Sequence, residues 1–187
     1  MKKLIKTLAA SLLVTVCAAC GNSNTVSGIV NKGVVMPSDG YAQGAAGDTL
    51  RTAWFDFTVN SASLAESYGS IVPDENESLL VVNITLKNTI DAPITMFDSD
   101  FQAQWGSEGE NDFRFPVTYD DPSRREKDML EAEYELGAGN TLTGDLVYSV
   151  PGGQQEYSLS FQEYYQPEEG QEAGKTGDLF FVFFHAE

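Results

Sequence analysis

Apolar and polar side chains alternate with a period of two along four stretches of the chain, the pattern of a strand with one face on a core and one in water. In Trp54–Asn60, Phe55, Phe57 and Val59 oppose Asp56, Thr58 and Asn60. In Leu79–Asn88, Leu80, Val82, Ile84 and Leu86 oppose Asn83, Thr85 and Lys87. Further on, Leu142, Leu146, Tyr148 and Val150 oppose Thr141, Thr143, Asp145 and Ser149, and Tyr157, Leu159 and Phe161 oppose Ser158, Ser160 and Gln162. A fifth run, Leu179–Phe184, is apolar at every position, which predicts a central strand covered on both faces. Four half-buried strands and a central one need a shared core, so the pattern predicts an all-β sandwich. Helical periodicity is not sustained anywhere. At most a short turn or helix is expected over Pro122–Met129, capped by Asp121 with Pro122 at its first position.

The first twenty residues follow another rule. Lys2, Lys3 and Lys6 precede an apolar run from Leu8 to Ala19, and Ala18-Ala19-Cys20 follows. Twelve helical residues span about 18 Å, short of the roughly 30 Å of a bilayer core, so residues 1–19 read as a cleaved export signal. Ala18-Ala19-Cys20-Gly21 is similar to the lipobox of bacterial lipoproteins, which implies a diacylglycerol-modified Cys20 as the mature N-terminus. Cys17 is a poor acceptor because bulky Val16 precedes it. Two acyl chains suffice for stable anchoring, so the expected address is the extracytoplasmic side of a cell membrane, lipid-anchored and not spanning it. Cleavage removes Cys17, leaving no disulfide, no thiol nucleophile and no cysteine-bound zinc in the mature chain.

Residues 20–46 are rich in Gly, Ser and Asn and are expected to form a flexible linker, although Val26–Met36 could make a short edge hairpin. The folded domain is then expected at 47–187. Two long loops interrupt its strand pattern, Gly106 to about Met129 and Tyr165–Gly177, and long loops in compact domains are where function tends to sit.

Four segments, GDTLRTAWFDFTVNSASL from Gly47, SLLVVNITLKNT from Ser78, ITMFDSDFQAQW from Ile94 and ELGAGNTLTGDLVYSVP from Glu135, are similar to a large family of bacterial lipoprotein sequences known as domain of unknown function 4352. The resemblance spans about 140 residues, from Gly47 to the C-terminus. It implies an immunoglobulin-like antiparallel β-sandwich of the kind grouped with immunoprotective extracellular antigens, behind a lipoprotein signal and a tether. Gly137-Ala138-Gly139-Asn140 stands where the family usually has Pro-Gly. No catalytic residues come with the resemblance, and a fold does not imply a function.

Charge then narrows the functions. Eleven Lys plus Arg against 28 Asp plus Glu give −17; without the three signal lysines the balance is 8 against 28, or −20. Such a surface repels polyanions, so no nucleic-acid partner is expected. A relay using the single histidine, His185, would lack a G-x-S-x-G elbow, and no enzyme activity and no cofactor are expected. Asp98, Asp100, Glu108, Glu110 and Asp112 are hard oxygen donors at alternating positions, weak candidates for calcium without an EF-hand pattern. Arg124, Arg125 and Lys127 gather three of the eight mature cations in one loop, and Tyr164 with Tyr165 opens the other. Both read as candidate partner surfaces for an envelope protein or glycan, on a monomer. The expected function is non-enzymatic surface recognition at the envelope, with a calcium- or glycan-binding accessory subunit as the alternative.

Overall fold

The computed structural model describes residues 33–106, 112–166 and 174–187. Among these the strands are, in chain order, β1 (Val34–Val35), β2 (Tyr41–Ala45), β3 (Thr49–Arg51), β4 (Phe55–Ala65), β5 (Glu77–Asn88), β6 (Ile94–Phe97), β7 (Phe101–Gln104), β8 (Phe113–Arg114), β9 (Glu133–Leu136), β10 (Thr141–Pro151), β11 (Glu156–Tyr165) and β12 (Lys175–His185). They form one sheet in the order β1-β3-β4-β5-β10, a second in the order β2-β12-β11-β7-β8, and a small β6-β9 ribbon. The export signal, Cys20 and most of the expected linker lie outside the described residues.

The sandwich follows from the alternation. Phe55, Phe57, Val59, Leu80, Val82, Ile84 and Leu86 of the first sheet are buried, and they share one cluster with Phe101, Leu159, Phe161, Phe180 and Val182 of the second. Aromatic edges interlock across the layers: the ring centroids of Phe55 and Phe161 are 4.9 Å apart, and those of Phe57 and Phe101 are 5.6 Å apart. Edge-to-face pairs of this kind add to area burial. Tyr148, fully enclosed, donates its hydroxyl to the Phe101 carbonyl at 3.1 Å and ties β10 to β7. Burial drives its pKa well above the ordinary value.

Two expectations are corrected. Residues 34–35 and 41–45 belong to the sheets, not to a linker: β1 runs parallel to β3, and β2 runs parallel to β12. The sandwich is therefore mixed at two edges, while every strand pair within 47–187 is antiparallel. Second, β12 is central, but only Phe180, Val182 and Phe184 are buried, while Phe183 is 49% exposed on the opposite face. The short turn expected within Pro122–Met129 is present as one 3₁₀ turn at Pro122–Arg124, with Pro122 at its start and the Asp121 side chain accepting from the Ser123 N–H.

The first sheet carries a second, smaller core on its outer face. Leu79 and Val147 pack there with Ile71, Val117 and Met129. Val117 and Met129 come from a strap, residues 115–131, that crosses the sheet and is stitched to β10 by backbone hydrogen bonds. Val117 N–H donates to Val147 O at 2.8 Å, Leu130 N–H to Asp145 O at 3.0 Å, and Asp145 N–H to Asp128 O at 2.9 Å. Gly144 in β10 makes room for the strap's Leu130: a Cβ there would lie 2.6 Å from Leu130 Cδ2 and push that side chain aside.

Candidate functional site

The strap brings Arg125 and Lys127 to the rim of a cleft of about 690 Å³ beside β10, whose lining also includes Asn83, Glu131, Tyr134 and Asp145. Asn83 and Asp145 of this lining belong to a hydrogen-bonded set. Asp145 accepts from the Tyr68 hydroxyl at 2.8 Å through Oδ2 and from the Asn83 amide at 2.6 Å through Oδ1. Desolvation first, then this bond to Asp145 and the charges of Asp145, Asp128 and Glu126, drive the Tyr68 pKa far above its ordinary value, so Tyr68 is a donor at neutral pH. On the strap, Arg125 Nη2 lies 3.3 Å from Glu131 Oε1, an exposed pair worth little to stability. Glu126 accepts from both the N–H and the hydroxyl of Ser70 at 2.6 Å, which holds its pKa below the ordinary carboxylate value. Cations and carboxylates are thus mixed around an open cleft, which suits a polar partner of either sign at neighbouring points.

The tyrosine pair goes elsewhere. Tyr164 lines a separate cleft of about 420 Å³ with Trp54, Ile90, Pro93, Phe97 and Gln166, and shares no lining residue with the first. Tyr165 packs against Trp54 with the rings tilted by 51° and centroids 5.0 Å apart, and its hydroxyl donates to Glu163 Oε2 at 3.1 Å. Tyr165 is therefore partly a packing residue, whereas Tyr164 is half exposed. The structure does not bring the two sets of candidates together.

The calcium candidates disperse as well. Asp98 is buried and accepts from the Thr118 hydroxyl, while Asp100 accepts from Phe97 N–H at 2.9 Å. Burial raises the pKa of both, against the lowering effect of these hydrogen bonds, and the charge of Asp98 raises Asp100 further. The Asp98 carboxyl is spent inside the fold, while half-buried Asp100 lines the second cleft. Asp112 lies beside Gly106, and Glu108 and Glu110 lie outside the described residues. Among the described residues, no three His, Cys, Asp or Glu side chains converge as a metal site would need.

His185 pairs through Nδ1 with Glu156 Oε1 at 2.8 Å, exposed at one end of the second sheet, and lines neither cleft. Sequence reasoning missed Glu163, which is buried and accepts from Ala53 N–H at 2.7 Å, Asp178 N–H at 3.2 Å and the Tyr165 hydroxyl. It clamps three separate segments, and an acid within an acidic chain gives no local signal of that role. No helix among the described residues is long and apolar enough to cross a membrane.

Residues 44–170 match the model of a domain of unknown function, DUF4352. No curated protein matches the chain. Among solved structures, ycdA of Bacillus subtilis, described as a candidate lipoprotein, is 18% identical with a TM-score of 0.45 and covers 73% of this chain; the chain spans 38% of that protein. The yjhA protein of Bacillus subtilis is 23% identical with a TM-score of 0.43, covering 63% of this chain and 79% of its own. An uncharacterized β-sandwich protein of Clostridium difficile 630 is 9% identical with a TM-score of 0.39, over 76% of this chain and 93% of its own.

Proposed function

The chain belongs to the DUF4352 family, and we propose that it is a recognition module, without a reaction of its own, held on the extracytoplasmic face of a membrane by a lipid on Cys20. One observation carries the recognition half of this reading. The strap over 115–131 is anchored by its own apolar cluster and by backbone bonds to β10, yet it holds Arg124, Arg125 and Lys127 at or beside the rim of an open cleft. A contact surface whose backbone is already fixed loses little entropy on binding, so it supplies affinity cheaply. In a chain with 28 acidic residues, a cluster of three of its 11 cations also gives an anionic or mixed-charge partner a point of attachment. The lipid half rests on the Ala18-Ala19-Cys20-Gly21 sequence and on the anchoring strength of two acyl chains.

Both halves are tested in intact cells of the producing organism. Metabolic labelling with an alkyne palmitate is expected to mark the chain and to miss the Cys20→Ser variant; equal labelling, or none in the parent chain, overturns the anchor. A photo-crosslinker at Ser123 is expected to capture envelope partners that disappear when Arg124, Arg125 and Lys127 are all changed to Glu. Identical captures from the two chains would remove the strap from the proposal.

A further inference from the structure

The outer face of the second sheet has a composition unlike the rest of the molecule. Its register sets three parallel rows of side chains: Tyr41, Leu179 and Gln162; Gln43, Phe181, Ser160 and Gln102; and Ala45, Phe183, Ser158 and Gln104, extended by Phe113. Charged residues make up 21% of the chain, yet none stands in these rows. The nearest charges close the ends: Asp100 at one, the His185–Glu156 pair at the other. Tyr41 and Phe183 are each 49% exposed, and the Phe181 and Phe183 rings lie side by side, centroids 6.1 Å apart and 22° from parallel. Ser158 and Ser160 are buried between this aromatic ridge and the glutamines. A groove of about 370 Å³ results, lined by Phe181, Leu179, Ser160, Gln102, Gln104 and Gln162, with Ser99 and Asp100 closing one end.

From this face we propose a second binding site, separate from the strap cleft, for a neutral polysaccharide chain. The C–H face of a pyranose ring is apolar and stacks on an exposed aromatic ring, while its hydroxyls need both donors and acceptors at the edge. Glutamine amides supply both from one side chain. The scarcity of charge selects the ligand, since Asp100 at one end is the sole charged residue lining the groove. A polyanion meets the overall charge of −17 with no cation in the groove to hold it, and a cationic partner finds no carboxylate in the rows. Same-face neighbours along a strand are about 6.7 Å apart, so three rows offer a platform roughly 13 Å long, enough for a short run of sugar units. Exposed Phe183 and Tyr41, with half-buried Phe181 beside them, contribute nothing to the core from this side, and exposed aromatic patches of this kind mark interaction sites.

The test is native affinity electrophoresis of the full chain through gels containing hydroxyethylcellulose, galactomannan or dextran, with polygalacturonate as the charged control. At least one neutral polymer is expected to retard the chain, and polygalacturonate is not. Tyr41→Ala and Phe183→Ala are each expected to weaken that retention about tenfold, equivalent to about 1.4 kcal/mol of binding. Gln102→Ala, a milder change, is expected to weaken it less and guards against a variant that fails to fold. The proposal is overturned if no neutral polymer retards the parent chain, if the variants are retained like the parent, or if polygalacturonate retards it equally. It is also overturned if sedimentation shows a dimer that Phe183→Glu dissociates, since the face would then meet a second copy. Loss of glycan binding with Cys20 labelling and strap crosslinks intact removes this inference alone.

Discussion

The two sheets have equally regular inner faces and opposite outer ones. On the first sheet, Leu79 and Val147 point away from the main core and would face water, so the strap lies over them and buries Val117 and Met129 in return. On the second, the equivalent positions hold Ser158, Ser160, Gln102 and Gln104 beside Phe181 and Phe183, and no strap among the described residues covers them. A buried aliphatic side chain contributes about 1.5–3 kcal/mol, enough to hold a long irregular segment against its entropy when several act together. Serine and glutamine offer no such return. The difference teaches that apolar side chains on the first outer face are explained by stability, whereas the phenylalanines on the second are not.

The strongest way to break this comparison is to truncate one side chain on each face. Leu79→Ala removes a fully buried residue beneath the strap and is expected to cost about 2–5 kcal/mol of unfolding free energy. Phe183→Ala, half exposed, is expected to cost under about 1 kcal/mol. Urea denaturation of both measures the contrast; equal losses would mean that the second face is a core covered by something else.

A smaller effect probes what holds the strap. Asp145→Ala leaves the Tyr68 hydroxyl and the Asn83 amide without their acceptor, an expected loss of about 1–3 kcal/mol. Because Arg124, Arg125 and Lys127 are trypsin sites on the strap, the same variant is expected to be cut there faster than the parent. Gln102→Ala on the bare face leaves the cleavage rate unchanged. Unaltered cutting of Asp145→Ala would show that the apolar cluster and the backbone bonds to β10 fasten the strap without the Asp145 side chain.

The inner faces were legible because each strand repeats its own instruction. Leu80, Val82, Ile84 and Leu86 announce one face by spacing alone, and all four are fully enclosed. The strap could not be read this way. Val117 and Met129 stand twelve positions apart in an aperiodic segment, and their partners Leu79 and Val147 are distant in sequence. Strand β2 was missed because YAQGA offers only Ala42 to the core; its place is set by backbone bonding to β12. Ser158 and Ser160 read as solvent-facing, since alternation does not reveal that neighbouring phenylalanines and glutamines shade them. The candidate site was half legible: Arg125 and Lys127 do line a cleft, while Asp98 and Asp100, read as ligand donors, face Thr118 and the Phe97 N–H. Asn83 and Asp145, which line that cleft, and Tyr68, which donates to Asp145, come from three distant segments, so no local pattern betrayed the set.

Asp98 also links the strap to pH. Burial raises its carboxyl pKa above the ordinary 3.8, despite the hydrogen bonds from Thr118 and Ser99. A carboxyl raised in the folded state binds its proton more tightly there than when unfolded. Its contribution to stability is complete below the ordinary value and is lost as pH rises through the folded one. Asp98→Asn cannot titrate, so the parent is expected to gain on this variant as pH falls from 7 toward 4. The gain is about 1.4 kcal/mol for every tenfold difference in proton affinity between the folded and unfolded chains. Asp121 and Glu126, lowered in pKa, act in the opposite sense but equally in both chains. Melting curves of the pair across that range measure the difference; parallel curves would show that the Asp98 proton is not coupled to folding.

The smallest expected effect separates a structural cleft wall from a ligand-binding one. Tyr134 lines the cleft under the strap, and its hydroxyl oxygen is buried with no hydrogen-bond partner among the described residues. Burial, then the charges of Asp100 and Asp98, drive its pKa far above the ordinary value, so the group stays protonated with no acceptor for its proton. Tyr134→Phe removes that uncompensated hydroxyl and keeps the ring, and is expected to raise unfolding free energy by up to about 1 kcal/mol. A loss instead would mean that the hydroxyl is satisfied in solution. The same variant in the Ser123 crosslinking experiment adds a second reading: unchanged capture places the partner on the rim cations, and weakened capture extends its footprint to the cleft wall.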